Sequence, residues 1–400
     1  MADAVIVAAA RSPIGRAFKG SLKSIRPDDL TVQMVEAALR QVPALDPTTV
    51  DDLVLGTALP GGEQGANLGR VVSVLMGLDS VPGTTVNRFC ASSVQTTRMA
   101  FHAIRSGEAD TVISAGTDMM SRMVPDNPDG PAFQNPLFAE RGLQQDELVE
   151  WRDPRETGHL PNVYVDMGIT AENVATITGV TREEMDAYGY RSQMNAKAAG
   201  KRGFWEKDIT PVTLPDGTVV STDDGPRPGT TLEGLAGLNP VFREDGRITA
   251  GNACALNDGA AALVVMSDTK AKELGLVPLA KIVSTGVSGL SPEIMGLGPV
   301  GGVRAALKNA GLGISDIDLF EINEAFAAQV IPSQRELGIP EEKLNVNGGA
   351  IALGHPFGMT GARITTTLLH ALQERDQQFG MVSMCIAGGM GMGMVIERLS

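Results

Sequence analysis

Aromatic side chains are scarce in this chain: 2 Trp, 3 Tyr and 11 Phe make up 4% of 400 residues. That shortage argues against an aromatic-rich binding surface. With 43% apolar residues, 47 Gly and 18 Met, it favours closely packed helices and buried strands instead. Positive charge is also short. Lys and Arg number 33 against 47 Asp and Glu, a formal net charge of −14, so broad nucleic-acid binding is not expected. An anionic ligand would have to be met by a local basic patch or by backbone N–H groups. The three cysteines, Cys90, Cys254 and Cys385, are odd in number, far apart and match no zinc spacing. Neither a disulfide framework nor a metal site is expected, and each thiol can be judged separately as reactive or merely buried. No apolar run reaches the roughly 18 residues a membrane span needs. "MADAVIVAAARSPIG" lacks a signal or transit pattern and "ERLS" is not a peroxisomal tripeptide, so a cytoplasmic location is the expectation.

Apolar runs such as "DAVIVAAA", "DDLVLGTAL", "DTVISAGT", "AALVVMS", "AKIVSTGV", "DLFEI" and "GMVSMCIAGG" read as buried strands with helical patterns between them, an α/β class. A coarse repeat runs through them. "EAALRQVPALDPTTVDDLVLGTA" and "RAALKNAGLGISDIDLFEINEA" align almost element for element, as a duplication of two large units would. Strands are expected at 4–9 and 280–286, and helices at 28–40 and 300–310. The stretch from about 121 to 250 breaks the echo and is rich in Pro, Gly, Arg and Asp, as in "MVPDNPDGPAFQNP" and "STDDGPRPGTT". It reads as an insertion between two similar halves.

Three places carry candidate chemistry. In "NRFCASSVQTTRMAFHAI" a strand ending near Val86 leads to a helix starting at Ser92 or Ser93, both good caps. Cys90 therefore lies at a helix entrance, where the macrodipole would favour a thiolate nucleophile. His355, one of only four histidines, lies in "VNGGAIALGHPFGMTGAR" ahead of a second helix with Ile364, Leu368, Ala371 and Leu372 on one face. Gly348, Gly349, Gly354 and Gly358 would let backbone approach a ligand closely. By the repeat, Cys90 and His355 occupy equivalent places, and a pseudo-twofold packing would bring their helix starts together. Cys385 closes the buried run of "MCIAGGMGMGMVIERL" and would enter a flexible Gly/Met loop at the same end of the sheet. Asn323 in "EINEAF" is a neutral donor after another buried strand.

"NRFCASS", "NEAFA", "GGAIALGHPFGMTGAR" and "CIAGGMG", in this order across the whole chain and joined by "TAGNACALNDGAAA" at 249–262, resemble the thiolase family. The resemblance implies an α/β thiolase fold: two duplicated core domains in five-layered α/β/α/β/α packing, with an inserted loop domain. The divisions would be 1–121 with 251–275, 122–250, and 276–400. It implies cleavage of a 3-ketoacyl-CoA by CoA through a Cys90 acyl-enzyme, with ping-pong kinetics. His355 would be the general base, and Cys385 the acid that protonates the leaving enolate or the base that forms it. His355 with a water held by Asn323 would form one oxyanion site, and the N–H groups of Cys90 and Ala387 the other. Ala387 departs from the family's glycine at this place. Arg227 would anchor the nucleotide of CoA, Phe242, Met167 and Phe326 would lie near the pantetheine or acyl group, and Cys254, where relatives have serine, would be a contact residue.

CoA and acetyl-CoA enter as substrates, with no permanently bound cofactor. A homodimer or homotetramer is implied, with β-oxidation enzymes as possible partners. "NRFC" and Asp166 favour the degradative branch over the short-chain acetoacetyl-CoA enzymes. The set Cys90, His355, Asn323 and Cys385 argues against a non-catalytic acyl- or sterol-CoA-binding subunit. "WRDPRETGHLP" has no assigned role, and its His159 is expected at the surface.

Overall fold

A computed structural model describes residues 2–123, 134–141 and 151–400. Much of "MVPDNPDGPAFQNP", read above as the start of the insertion, lies outside the described residues. Nine principal strands carry the fold: β1 (Ala4–Arg11), β2 (Asp52–Gly56), β3 (Gly83–Val86), β4 (Thr111–Met119), β5 (Asn257–Ser267), β6 (Ala280–Gly289), β7 (Leu319–Ile322), β8 (Phe379–Ile386) and β9 (Met390–Arg398).

The strands join in one continuous hydrogen-bonded order, β7-β8-β9-β6-β1-β5-β4-β2-β3, to which each half contributes one run: the first sheet β3-β2-β4-β5-β1 and the second β7-β8-β9-β6. In each, a parallel inner pair is followed by antiparallel strands: β2 beside β4 and β7 beside β8 are parallel, while β5 and β9 run against them. At the outer edge of the second sheet a single parallel bridge from Leu344 to Phe320 stands where β3 stands in the first. The two sheets touch along β1 and β6, through Val5 beside Lys281 and Ile6 beside Ala280. The duplication extends to single atoms. Asp51 accepts from the backbone N–H groups of Asp110 and Thr111 at 2.8 and 2.9 Å. Asp318 accepts from those of Gln378 and Phe379 at 3.0 and 2.8 Å.

The helices follow from local sequence. In the first half, α1 (Pro27–Arg40) opens on a proline at its first position, has Asp28 and Asp29 in its first turn and Arg40 in its last, all suited to the helix dipole. Its Leu30, Met34, Val35 and Ala38 form one buried face. After it come α2 (Leu68–Leu75) and α3 (Ser92–Ser106). The segment between the halves holds α4 (Met167–Thr178) and α5 (Arg182–Lys201), the latter started by a Thr181/Glu184 capping box. The second half adds α6 (Gly298–Ala310), α7 (Ala327–Leu337) and α8 (Phe357–Glu374).

The layers are α1 and α2, the first sheet, α3 with α8, the second sheet, then α6 and α7. Alternation along β5 builds two cores at once. Ala261, Leu263 and Val265 enter the central core that holds α3 and α8, while Ala260, Ala262, Val264 and Met266 enter the outer core under α1. The Gly/Met stretch after Cys385 is not a loop. It is the buried strand β9, joined to β8 by a tight turn in which Gly388 and Gly389 take φ of +76° and +78°. Its glycines are there because α6 lies directly on the strand: a Cβ at Gly391 or Gly393 would strike the backbone of Gly298 or Gly302. No helix among the described residues is long and apolar enough to cross a membrane.

Candidate active site

Cys90 follows β3 through a sharp turn. Phe89 has φ of +45°, a left-handed conformation unusual for a bulky residue, and Phe89–Ala91 form one 3₁₀ turn before α3. Asn87 stabilises the turn by accepting from the Phe89 N–H at 2.7 Å. The serines are not conventional caps. Ser92 Oγ accepts from the Arg88 N–H at 2.9 Å and donates to the Phe89 carbonyl at 2.7 Å, tightening the turn. Ser93 Oγ accepts from the Ala362 N–H at 2.8 Å, which ties α3 to α8. This strand–turn–helix entry gives the cysteine a fixed position at the carboxyl end of the first sheet.

His355 is delivered by the matching loop of the second half. Its N–H donates to Asn257 Oδ1 at 2.9 Å, and it bridges to Leu256 of the segment entering β5. Both ring nitrogens are engaged: Nδ1 with Thr360 Oγ1 at 2.7 Å and Nε2 with Asn323 Nδ2 at 3.3 Å. With the amide N–H of Asn323 toward Nε2, Nδ1 carries the ring proton toward Thr360, and the Nε2 lone pair accepts from Asn323 through a long bond that must give way before Nε2 takes a proton. Asn323 leaves β7 beside the strand of Cys385, its N–H donating to the Ser383 carbonyl at 2.9 Å. Its Oδ1 is buried and has no hydrogen-bond partner among the described residues.

The electrostatics depart from the thiolate expected at a helix entrance. Burial pushes the Cys90 thiol up to about 12, and the N–H groups of Ala387 and Cys90 aimed at its sulfur offset that only in part. Burial, helped by the cationic Arg363, holds His355 down at about 3. Cys254 is also raised to about 12 by burial and then by Cys90, and Cys385 is raised by burial, Cys90 and Cys254. The three thiols therefore share one neighbourhood, and the resting set is uncharged. A nucleophile, a neutral base and two convergent N–H groups can perform acyl transfer if the thiol proton moves as the sulfur attacks.

The other predicted residues sort into two groups. Phe326 and Phe242 meet edge to face, ring centroids 6.2 Å apart, and Phe242 lies against Gly168 beside Met167 at the start of α4. Cys254 is held next to them, donating its N–H to the Ala325 carbonyl at 3.0 Å. Arg227 is elsewhere, exposed at the rim of a cleft that it shares with Arg16, Gln193, Ala253 and Gly354. Asp166 is exposed just before α4, and His159 is half-buried, bonded to Thr157 Oγ1 at 2.9 Å. The glycines around His355 do not chiefly open space for a ligand. A Cβ at Gly349 would meet the carboxylate of Glu324, at Gly354 the side chain of Asn257, and at Gly361 the backbone of Val94. They admit the protein's own elements. Thr360, Asn257 and Arg16 escaped the sequence reading, although Thr360 is only five residues past His355 on the helix that follows it.

Duplicated α/β halves that present a cysteine and a histidine at facing helix starts define a class of acyltransferases that work through a cysteine. The thiolase N-terminal domain description matches residues 4–269 and the thiolase C-terminal domain description residues 276–398. The chain belongs to the thiolase family. It is 44% identical to a 3-ketoacyl-CoA thiolase of Bacillus subtilis, over 99% of this chain and 100% of that protein. It is 41% identical to a β-ketoadipyl-CoA thiolase of Acinetobacter baylyi, over the full length of both. Human mitochondrial 3-ketoacyl-CoA thiolase in complex with CoA superimposes with a TM-score of 0.87 at 37% identity, covering 99% of this chain and 98% of that one.

Proposed function

We propose that this enzyme cleaves 3-oxoacyl-CoA thioesters with CoA, giving acetyl-CoA and an acyl-CoA shorter by two carbons. The observation that carries this reading is the convergence of Asn323, His355 and Cys90 from three connecting segments, and of Cys385 from the end of β8, at the carboxyl ends of the strands. Cys90 Sγ attacks the 3-keto carbon while His355 Nε2 takes its proton. The tetrahedral oxyanion is met by the N–H groups of Cys90 and Ala387. The bond between C2 and C3 then breaks, leaving the acyl group on Cys90. Cys385 supplies a proton to C2 of the acetyl-CoA enolate, whose thioester oxygen is stabilised beside His355 and Asn323. The proton held by His355 passes to the Cys385 thiolate, restoring both groups. The second CoA then gives its thiol proton to His355, its sulfur attacks the acyl carbon, and Cys90 leaves as a thiolate that takes that proton back. Ala387 keeps the N–H of the second oxyanion site and adds only a methyl group.

CoA enters along the cleft bearing Arg16 and Arg227, the local positive charge that a chain of net charge −14 needs for an anionic ligand. Its pantetheine end runs past Phe242, Phe326, Met167 and Cys254. The same reading divides the chain into core units 1–121 with 251–275 and 276–400 around an insertion at 122–250. It also makes the protein a cytoplasmic homodimer or homotetramer, to which β-oxidation enzymes could supply substrate. The half-buried edge strand β3 and the exposed Val71, Val74 and Leu75 of α2 beside it support a self-association surface.

The test is CoA-dependent thiolysis of acetoacetyl-CoA, a long-chain 3-oxoacyl-CoA and 3-oxoadipyl-CoA, with Cys90→Ala as control. Cleavage of the long-chain substrate, lost in the variant, is expected. Turnover of acetoacetyl-CoA alone would move the enzyme to short-chain acetyl transfer, and turnover of none would sink the proposal.

A further inference from the structure

A carboxylate that takes no part in the steps above joins the two catalytic loops. Asp118, at the end of β4, is fully buried. Within the first half it accepts from Thr57 Oγ1 at 3.0 Å, the N–H groups of Ala58 and Leu59 at 2.8 and 3.2 Å, and Gln64 Nε2 at 3.1 Å. From the second half it accepts the Gly358 N–H at 2.6 Å, only three residues beyond His355. The other side of this circuit leads to the nucleophile. The Ala58 carbonyl accepts from Asn87 Nδ2 at 3.0 Å, and Asn87 Oδ1 holds the Phe89 N–H at 2.7 Å, next to Cys90.

Helix α8 explains why the carboxylate is needed. An 18-residue helix starts at Phe357 with no side-chain cap of its own, its cap position being Pro356. Its first N–H groups therefore need a partner, and its dipole favours a negative charge there. Asp118 supplies both from the opposite half of the molecule. Gly358 makes the approach possible, because a Cβ there would lie 2.7 Å from Asp118 Oδ2 and from the carbonyl oxygens of Gly56 and Thr117.

We infer that Asp118 is a positioning residue of the reaction: by capping the His355 helix across the two halves while anchoring the Cys90 turn through Ala58 and Asn87, it sets the base against the nucleophile. This rests on the assignment of Cys90 and His355 as the reacting pair. A carboxylate that served only the stability of the first sheet would not act through His355, and that difference can be measured.

The experiment is a double-substitution cycle on the full-length protein, read by the rate of Cys90 alkylation with iodoacetamide and by kcat and KM for acetoacetyl-CoA thiolysis. Asp118→Asn keeps the side-chain size but turns one acceptor into a donor facing N–H groups. It is expected to slow alkylation and lower kcat by about 10- to 100-fold, the scale of a misplaced catalytic group, with KM for CoA changed by less than about twofold. In a His355→Ala background the same substitution should cost less than about twofold. An equal loss in both backgrounds, a change in KM alone, or no loss would overturn the inference. If Asp118→Asn does not fold, Asn87→Ala, at an exposed position, cuts the same circuit. It should lower both rates several-fold only when His355 is present, and an equal loss in both backgrounds overturns the inference there too. Alkylation needs no substrate, so wild-type failure to turn over any 3-oxoacyl-CoA would sink the proposed reaction and leave the positioning cycle readable.

Discussion

The two halves share a strand order but place different chemistry at corresponding ends. The first half brings the Cys90 thiol, the nucleophile of the proposed reaction, on a turn strained at Phe89, and beside it the buried carboxylate of Asp118. The second brings Asn323, His355 and Cys385 from three neighbouring segments. Each half also has a buried carboxylate that gathers several donors next to the site. Asp118 reaches across to α8. Glu324 gathers Tyr188 Oη, Ser192 Oγ, Asn345 Nδ2 and the Ile351 N–H at 2.6–3.1 Å, fastening the loop that leads to His355 onto α5. Duplication thus supplies a scaffold in which two helix starts face each other. In the proposed reaction, divergence at the strand ends makes one side the nucleophile and the other the acid–base apparatus.

The most direct way to break this comparison is to remove one thiol from each half. Cys90→Ala should abolish both thiolysis and acyl exchange between acyl-CoA and free CoA, by more than about 1,000-fold, since no acyl-enzyme can form. Cys385→Ala should lower thiolysis by about 100-fold or more through loss of the proton donor. It should leave acyl exchange largely intact, because exchange forms no enolate. If both variants lose exchange equally, the division of labour between halves is wrong.

How much of this division was legible in the sequence depends on the range of the interactions. The strand at 4–9, the helices at 28–40 and 300–310 and the Cys90 turn rest on local periodicity and were readable, as was the duplication that pairs Cys90 with His355. The Gly/Met stretch misled, because β9 needs glycines only where α6 covers it, a contact about 90 residues away in the chain. The resting thiol misled for a related reason: a helix entrance is a local feature, whereas the burial that raises Cys90 comes from both halves. Asp118 was invisible for the same cause. Its decisive partner, Gly358, is 240 positions along the chain.

The neutral resting pair sharpens the comparison through pH. With His355 held at about 3 and Cys90 at about 12, neither group should give a limb in kcat/KM between about pH 5 and 9. Asp118, pushed up to about 6 by burial, should give the one acid limb in that range, and Asp118→Asn should remove it. A limb near 6.5 that disappears in His355→Gln would contradict the buried-neutral assignment. Stability should move in the same sense. His355 is lowered from the usual imidazole value of about 6.5, so the unfolded chain binds more protons below that pH. Its contribution is complete above about 6.5 and is lost progressively as pH falls toward about 3. The acid flank of Tm should therefore be shallower in His355→Gln than in the parent protein.

The smallest effect is expected outside both halves, at Arg227. This side chain is exposed, makes no ion pair among the described residues, and has its backbone N–H fixed by Gln193 Oε1 at 2.7 Å, so the loop is ordered while the guanidinium remains free to meet a ligand. An exposed charge on a flexible stem is worth at most about 1 kcal/mol toward an anion. Arg227→Ala should then raise KM for CoA by about two- to fivefold and leave kcat unchanged, since its side chain sits at the exposed rim of the cleft. Because such an interaction is screened, added salt should raise KM in the parent protein and do so less in the variant. A fall in kcat instead would mean that the insertion does more than hold the cofactor end of the substrate, and that the chemistry is not confined to the two halves.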